Sequence, residues 1–272
     1  SIRAADLLVH GMEGFQPWVD DIAADLAADD AAVETVDASV DVTLLPAIGG
    51  HGHDHGAEDH DEHTETEHHD EHTETEHHDG HTETEHHDEH DRHAGEYDPH
   101  FWMDPLRVVD ATSTVEAALT AVDPDGSNAH AANAAALREE LTALDERIES
   151  LVADAGEGVL LVAGHNSFRY LGDRYGLTVE ALTGLSPDDQ PTTRDIERAQ
   201  EVIEEHDVRH VCADPLESQR AADQLVAETD AEAVLPLTAM PGLTDEWAAN
   251  DWGYLDVMRE VNVPTLERAL GR

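Results

Sequence analysis

Residues 51–93 of this 272-residue chain contain no Val, Ile, Leu, Phe, Tyr or Trp. A stretch without large apolar side chains cannot bury enough surface to offset the entropy of ordering it. Any core must therefore be assembled from the residues on either side. The stretch is also repetitive. Glu-His-Thr-Glu-Thr-Glu-His-His-Asp occupies residues 62–70 and 71–79, and a third copy at 80–88 differs only in its first residue. A nine-residue period suggests a β-solenoid only where apolar positions can stack, and here there are none. Residues 49–95 are expected to form a disordered loop.

The flanking sequence reads as α/β. Residues 5–10 form a short apolar run, residues 15–28 have helical spacing with Trp18, Ile22 and Leu26 on one face, and residues 32–45 carry a β-branched stretch. After the loop, Asp104-Pro105 has the form of an N-cap followed by a first-turn proline, opening a helix to about Val122. Residues 127–155 read as one long helix, with Leu137, Leu141, Leu144, Ile148 and Leu151 at helical spacing. From residue 158 onward, apolar strands near 158–163, 177–182, 208–213 and 233–237 alternate with helices near 167–175, 191–205, 218–229 and 252–270. Near-continuous apolar strands joined through helices imply a parallel sheet. The expected fold is two α/β lobes with parallel sheets, joined by a long rigid helix. Residues 1–122 form the first lobe with its loop 49–95, residues 123–156 the linking helix, and residues 157–272 the second lobe. Ligands of open α/β sheets bind at the carboxyl ends of strands, so a cleft between the lobes is the expected site.

Charge narrows the partners. The formal net charge is -49, and all 14 basic residues are Arg. The loop does not account for this: residues 51–96 hold 18 acidic residues and one Arg, a net of -17, which leaves -32 on the rest. Such a surface repels itself in dilute buffer but is screened in molar salt, where the Debye length is roughly 3 Å. Adaptation to a very salty environment is the expected reason. Phosphate backbones need Lys and Arg clusters, so nucleic acid is excluded as a partner. The single cysteine, Cys212, allows no internal disulfide, and no apolar run is long enough to span a membrane.

Histidine carries the chemistry. Imidazole and carboxylate both suit borderline divalent ions such as zinc. The loop offers fifteen imidazoles among its acids: His51, His53, His55, His60, His63, His68, His69, His72, His77, His78, His81, His86, His87, His90 and His93. A tract without fixed geometry binds weakly and exchangeably, which suits gathering metal more than holding it. Outside the loop, His100 lies between two prolines and two aromatics in Asp98-Pro-His-Phe-Trp-Met-Asp-Pro105. His165 directly follows an apolar strand, in Gly164-His-Asn-Ser-Phe-Arg-Tyr. From local chemistry alone, each is equally a metal ligand or a hydrogen-bonded structural histidine. His10, at the end of the first strand, is a weaker candidate. His130 is expected in solvent, and His206 and His210 are expected to be structural.

The Asp98–Pro105 element resembles the DPHxWxDP element of the ABC-transporter solute-binding proteins for zinc and manganese. Residues 164–171 resemble that family's HDAFxYF element, and a His-rich acidic loop just before DPHxW is the mark of its zinc, ZnuA-like branch. Residues 5–9 with Pro17-Trp18, and residues 254–258, extend the resemblance along the whole chain. It implies that His100 and His165 are ligands of a high-affinity Zn2+ site. It also implies a third histidine upstream of Ser1, a first lobe that is truncated here, and a tether to the membrane through a preceding segment. The implied function is extracytoplasmic: a monomer that captures zinc and delivers it to an ABC permease and its ATPase. The manganese branch has a carboxylate where Thr238 stands and Glu where His165 stands; both departures favour zinc. Water, a loop histidine or Asp245 are the options for a remaining position. Because imidazole must be neutral to bind metal, affinity is expected to fall below about pH 6.

Three rivals remain. A manganese or iron carrier would use the same fold. A stand-alone metal buffer would lack the transporter. A zinc hydrolase would need an open metal position and a general base, and no His-Glu-x-x-His occurs; an enzyme is not expected.

Overall fold

A computed structural model describes residues 2–29, 32–47, 96–156 and 158–271. The fifteen loop histidines lie outside the described residues. The first lobe opens with β1 (Leu7–His10), crosses through α1 (Pro17–Ala28) and returns as β2 (Glu34–Asp37), which pairs with β1 in parallel from Leu7↔Glu34 to His10↔Asp37. The expected apolar face of α1 is corrected here. Val19 and Leu26 are its buried residues, whereas Trp18 is 63% exposed. Position 18 sits one step off the covered stripe, and nothing among the described residues packs over it tightly.

A single 3-10 turn, Phe101–Met103, leads into α2 (Pro105–Val122). The Asp104 carboxylate accepts from the Leu106 amide at 2.9 Å, and Pro105 needs no donor at the first helical position, so this start satisfies its own backbone. A short turn, Pro124–Gly126, then starts α3 (Ser127–Ala155), which ends at Gly156 with φ 78. His130 is half-buried rather than in solvent, because the turn folds back and brings Asp123 Oδ2 within 3.4 Å of its Nε2.

The second lobe is one sheet, ordered β4-β3-β5-β6: β3 (Val159–Val162), β4 (Thr178–Ala181), β5 (His210–Ala213) and β6 (Ala233–Pro236), with every pairing parallel. The connections are α4 (Arg169–Tyr175), α5 (Thr193–His206) and α6 (Arg220–Glu228). Successive strand residues face opposite sides. Leu160 and Val162 join a core with Ile148, Leu266 and Leu270, while Leu161 and Ala163 join another with Ile203 and Leu225. Burial of a leucine such as Leu160 or Leu161 contributes about 1.5–3 kcal/mol.

After β6 the chain forms a short helix that the sequence reading did not anticipate, α7 (Asp245–Ala249). The expected helix at 252–270 is interrupted. It consists of α8 (Tyr254–Val257), a wide π turn at Met258–Asn262, and α9 (Val263–Leu270). Pro264 has no amide proton and its ring would strike the carbonyl four residues back. Widening that turn relieves both problems. No helix among the described residues is long and apolar enough to cross a membrane.

Candidate metal centre

His100 and His165 come from distant parts of the chain and meet. Their ring centroids are 5.3 Å apart with an interplanar angle of 48°. His165 sits just past the carboxyl end of β3, where Ala163 still donates to Cys212 O. His100 caps the 3-10 turn. His100 is 5% exposed and His165 is 8% exposed.

The His100 side is fixed by a dense network. Its Nδ1 lies 2.8 Å from Asp98 Oδ1, and its backbone amide donates to the same oxygen at 3.0 Å. Asp98 is fully buried. Its other oxygen accepts from Arg169 Nη1 at 3.3 Å, its carbonyl accepts from the Tyr170 hydroxyl at 2.6 Å, and that hydroxyl accepts from the Leu45 amide at 2.9 Å. Trp102 Nε1 donates to Ala239 O at 2.8 Å, and Tyr254 donates to Trp102 O at 2.7 Å. Second-lobe residues thus hold the segment that carries His100. Burial pushes the Tyr170 phenol up to about 12.

His165 has a thinner support. Its Nδ1 lies 3.0 Å from Glu217 Oε1, on the loop after β5, the strand beside β3. Glu217 was not singled out from the sequence. The only signal for it is topological, since β5 must neighbour β3 before residue 217 can approach residue 165. Aromatic rings close the other side. Trp102 stands 5.3 Å from the His100 ring, and Phe15 meets it edge-on at 6.4 Å.

A carboxylate at Nδ1 selects the tautomer that carries its proton there and leaves Nε2 with a lone pair. None of the described hydrogen bonds uses Nε2 of either ring. Two imidazole nitrogens on a tetrahedral zinc at about 2.0–2.1 Å put the ring centres about 5 Å apart, close to the observed separation. The ring separation is that of two imidazoles sharing one ion. Among the described residues no group of three or more His, Cys, Asp or Glu converges as a metal site.

The other candidates stay apart from this pair. His10 Nδ1 pairs with the adjacent Gly11 O at 2.8 Å. His206 is exposed at the end of α5, and His210 opens β5 with its Nδ1 buried and no partner among the described residues. Asp245 is exposed at the start of α7. Thr238 is fully buried. It donates to Asp214 Oδ2 at 2.7 Å and accepts from the Met240 amide at 2.8 Å, so its hydroxyl is already committed. Burial raises the Asp214 carboxyl against the opposing pull of its hydrogen bonds from Leu216, Thr238 and Ala239.

The family model for zinc-uptake complex component A, periplasmic (ZnuA), matches residues 1–269. The zinc-binding lipoprotein AdcA of Streptococcus pneumoniae is 28% identical over 271 residues, which is 98% of this chain and 46% of that protein. The high-affinity zinc uptake system protein ZnuA of Bacillus subtilis is 28% identical over 173 residues, 64% of this chain and 53% of that protein. The chain spans about half the length of the curated relatives it matches. The Zn(II)-bound ZnuA-like domain of S. pneumoniae AdcA superposes with a TM-score of 0.70 at 25% identity, covering 100% of this chain and 82% of that one. The S. pneumoniae AdcAII protein gives a TM-score of 0.71 at 21% identity over 98% of this chain and 81% of that one, a likeness of fold.

Proposed function

We propose that this chain, which belongs to the zinc-uptake complex component A family, captures Zn2+ outside the cytoplasm and passes it to the permease and ATPase of an ABC importer. The carrying observation is the paired imidazoles, 5.3 Å between centres, each with a carboxylate at Nδ1. In this reading residues 1–122 and 157–272 are the two halves of a clamp and residues 123–156 its spine. His100 and His165 bind the ion through Nε2. Groups outside the described residues, or water, complete the four positions that zinc takes. The zinc-binding names of the relatives support the choice of metal, and so does imidazole at both positions, which suits zinc better than manganese.

The reading is one of capture. The histidines of 51–93 gather zinc weakly, and the cleft holds it. A segment preceding Ser1 tethers the protein to the membrane; the lipoprotein among its relatives supports that arrangement.

Calorimetry on the full-length protein tests the assignment. His100→Ala and His165→Ala each abolish the tight zinc event while the weak events of the loop remain. Deletion of 51–93 keeps the tight event and lowers the total stoichiometry. Parental tight binding in both histidine variants would overturn the cleft assignment.

A further inference from the structure

The two histidines differ in what stands behind them. Asp98, behind His100, is 0% exposed and is held at both oxygens, at its carbonyl and at its amide, which donates to Leu45 O at 2.9 Å. Its side chain is short and has no room to turn. Glu217, behind His165, has a side chain 27% exposed. One Oε1 contact to His165 is the only described side-chain bond it makes. Its carboxylate fronts a cavity of about 490 Å³ lined also by Thr183, Asp189 and Arg220. Gly164 leaves it space, since a Cβ there would lie 3.1 Å from Glu217 Oε2. One imidazole is therefore clamped, and the other is propped by a flexible arm with open volume beside it.

We infer that Glu217 is the positioning residue that sets how fast the ion exchanges, and that His165 is the ligand that lets go first. This rests on the cleft reading above. Glu217 holds the His165 ring in the Nδ1–H tautomer with Nε2 aimed at the ion. When the carboxylate swings into the cavity, the ring is free to turn and the ion loses one of its two cleft imidazoles while His100 keeps its hold. The clamped histidine keeps the ion placed while the propped one opens the path for it to leave.

Stopped-flow zinc release into an excess of chelator, on the zinc-loaded full-length protein, reads this directly. Glu217→Ala is expected to speed release about tenfold to a hundredfold, the usual cost of losing an outer-shell partner. Glu217→Gln is expected to recover much of the loss, because its amide oxygen still accepts from Nδ1–H. Nitrogen-15 spectra of the zinc-free histidine rings should show His165 as the Nδ1–H tautomer in the parent and the Gln variant, and as a mixture in the Ala variant. Thermal midpoints should match the parent, whereas Asp98→Ala should lower the midpoint as well as speed release. Release from Glu217→Ala within about twofold of the parent, against the tenfold expected of an outer-shell partner, would overturn the inference. So would an unchanged tautomer, or a fall in midpoint shared by both Glu217 variants. His165→Ala separates the two readings. If it too releases at the parental rate, the cleft assignment falls; if it alone is fast, only the role of Glu217 is lost.

Discussion

The two sheets among the described residues are built from similar sequence and end in different states. β3 reads Val-Leu-Leu-Val, and its Leu160, Leu161 and Val162 are 0%, 1% and 3% exposed. β1 reads Leu-Leu-Val-His, yet its leucines are only half-buried and Val9 is 43% exposed. Strand propensity is similar; cover is not. β3 lies between two strands with a packed core on each face, whereas β1, among the described residues, pairs with β2 alone. The lesson extends to the site. The segment carrying His100 takes its position less from the small first sheet than from Arg169, Tyr170 and Ala239 of the second lobe. The placement of His100 is referred to one frame, and that frame is the four-stranded sheet.

The contrast predicts unequal costs. Leu161→Ala opens a cavity between packed faces and should destabilise by about 2–5 kcal/mol. Val9→Ala trims a side chain already 43% exposed and should stay within about 0.5 kcal/mol. Urea unfolding measures both, and equal losses would remove the distinction between the sheets. Next in size is Tyr170→Phe. It strips the Asp98 carbonyl and the Leu45 amide of a shared hydroxyl partner, a loss of about 1–3 kcal/mol where the groups stay buried. Zinc affinity should fall with it, because Asp98 orients His100. An unchanged affinity would mean that the second lobe does not set the His100 geometry.

Much of this was legible in the sequence, and the exceptions have physical causes. The bounds of α2 and α3 follow from Asp104-Pro105 and from apolar spacing that stops at Gly156, because these signals are local. The parallel second-lobe sheet follows from its apolar runs. Trp18 was misplaced because spacing gives a stripe but not what covers it. The π turn needed the conjunction of Pro264 with a helix already packed on both sides. At the site, Asp98 lies two residues from His100, inside a motif. Glu217 lies 52 positions from His165 and becomes visible only once β5 is known to flank β3. The loop histidines, the most conspicuous feature of the sequence, fall outside the described residues.

A smaller effect tests the tie between the halves by a single bond. Trp102→Phe keeps the ring beside His100 but loses the 2.8 Å bond to Ala239 O. The expected cost is about 1 kcal/mol, with some of the loss at the buried Ala239 carbonyl recovered by water entering beside the half-buried ring at position 102. Zinc release should quicken slightly. A cost as large as that of Leu161→Ala would mean that this bond, rather than the sheet, organises the frame.

The last test uses pH and has the smallest expected reach. Burial raises the Tyr170 phenol from 10.0 to about 12, and burial raises Tyr175 and Tyr254 further still. Above pH 10 the unfolded chain gives up these protons while the folded protein retains them, so stability falls as pH rises. The contribution is fully present below pH 10 and, for Tyr170, is spent by about pH 12. Two of the three hydroxyls, on Tyr170 and Tyr254, reach from the second lobe to the 98–102 segment. Alkali should therefore loosen the link between the halves before it disturbs the four-stranded sheet. Urea midpoints at pH 8, 10 and 11 should hold steady and then drop, and Tyr170→Phe should drop less between the last two. Parallel losses in parent and variant would show that the tyrosine joining the lobes has no part in the alkaline limit.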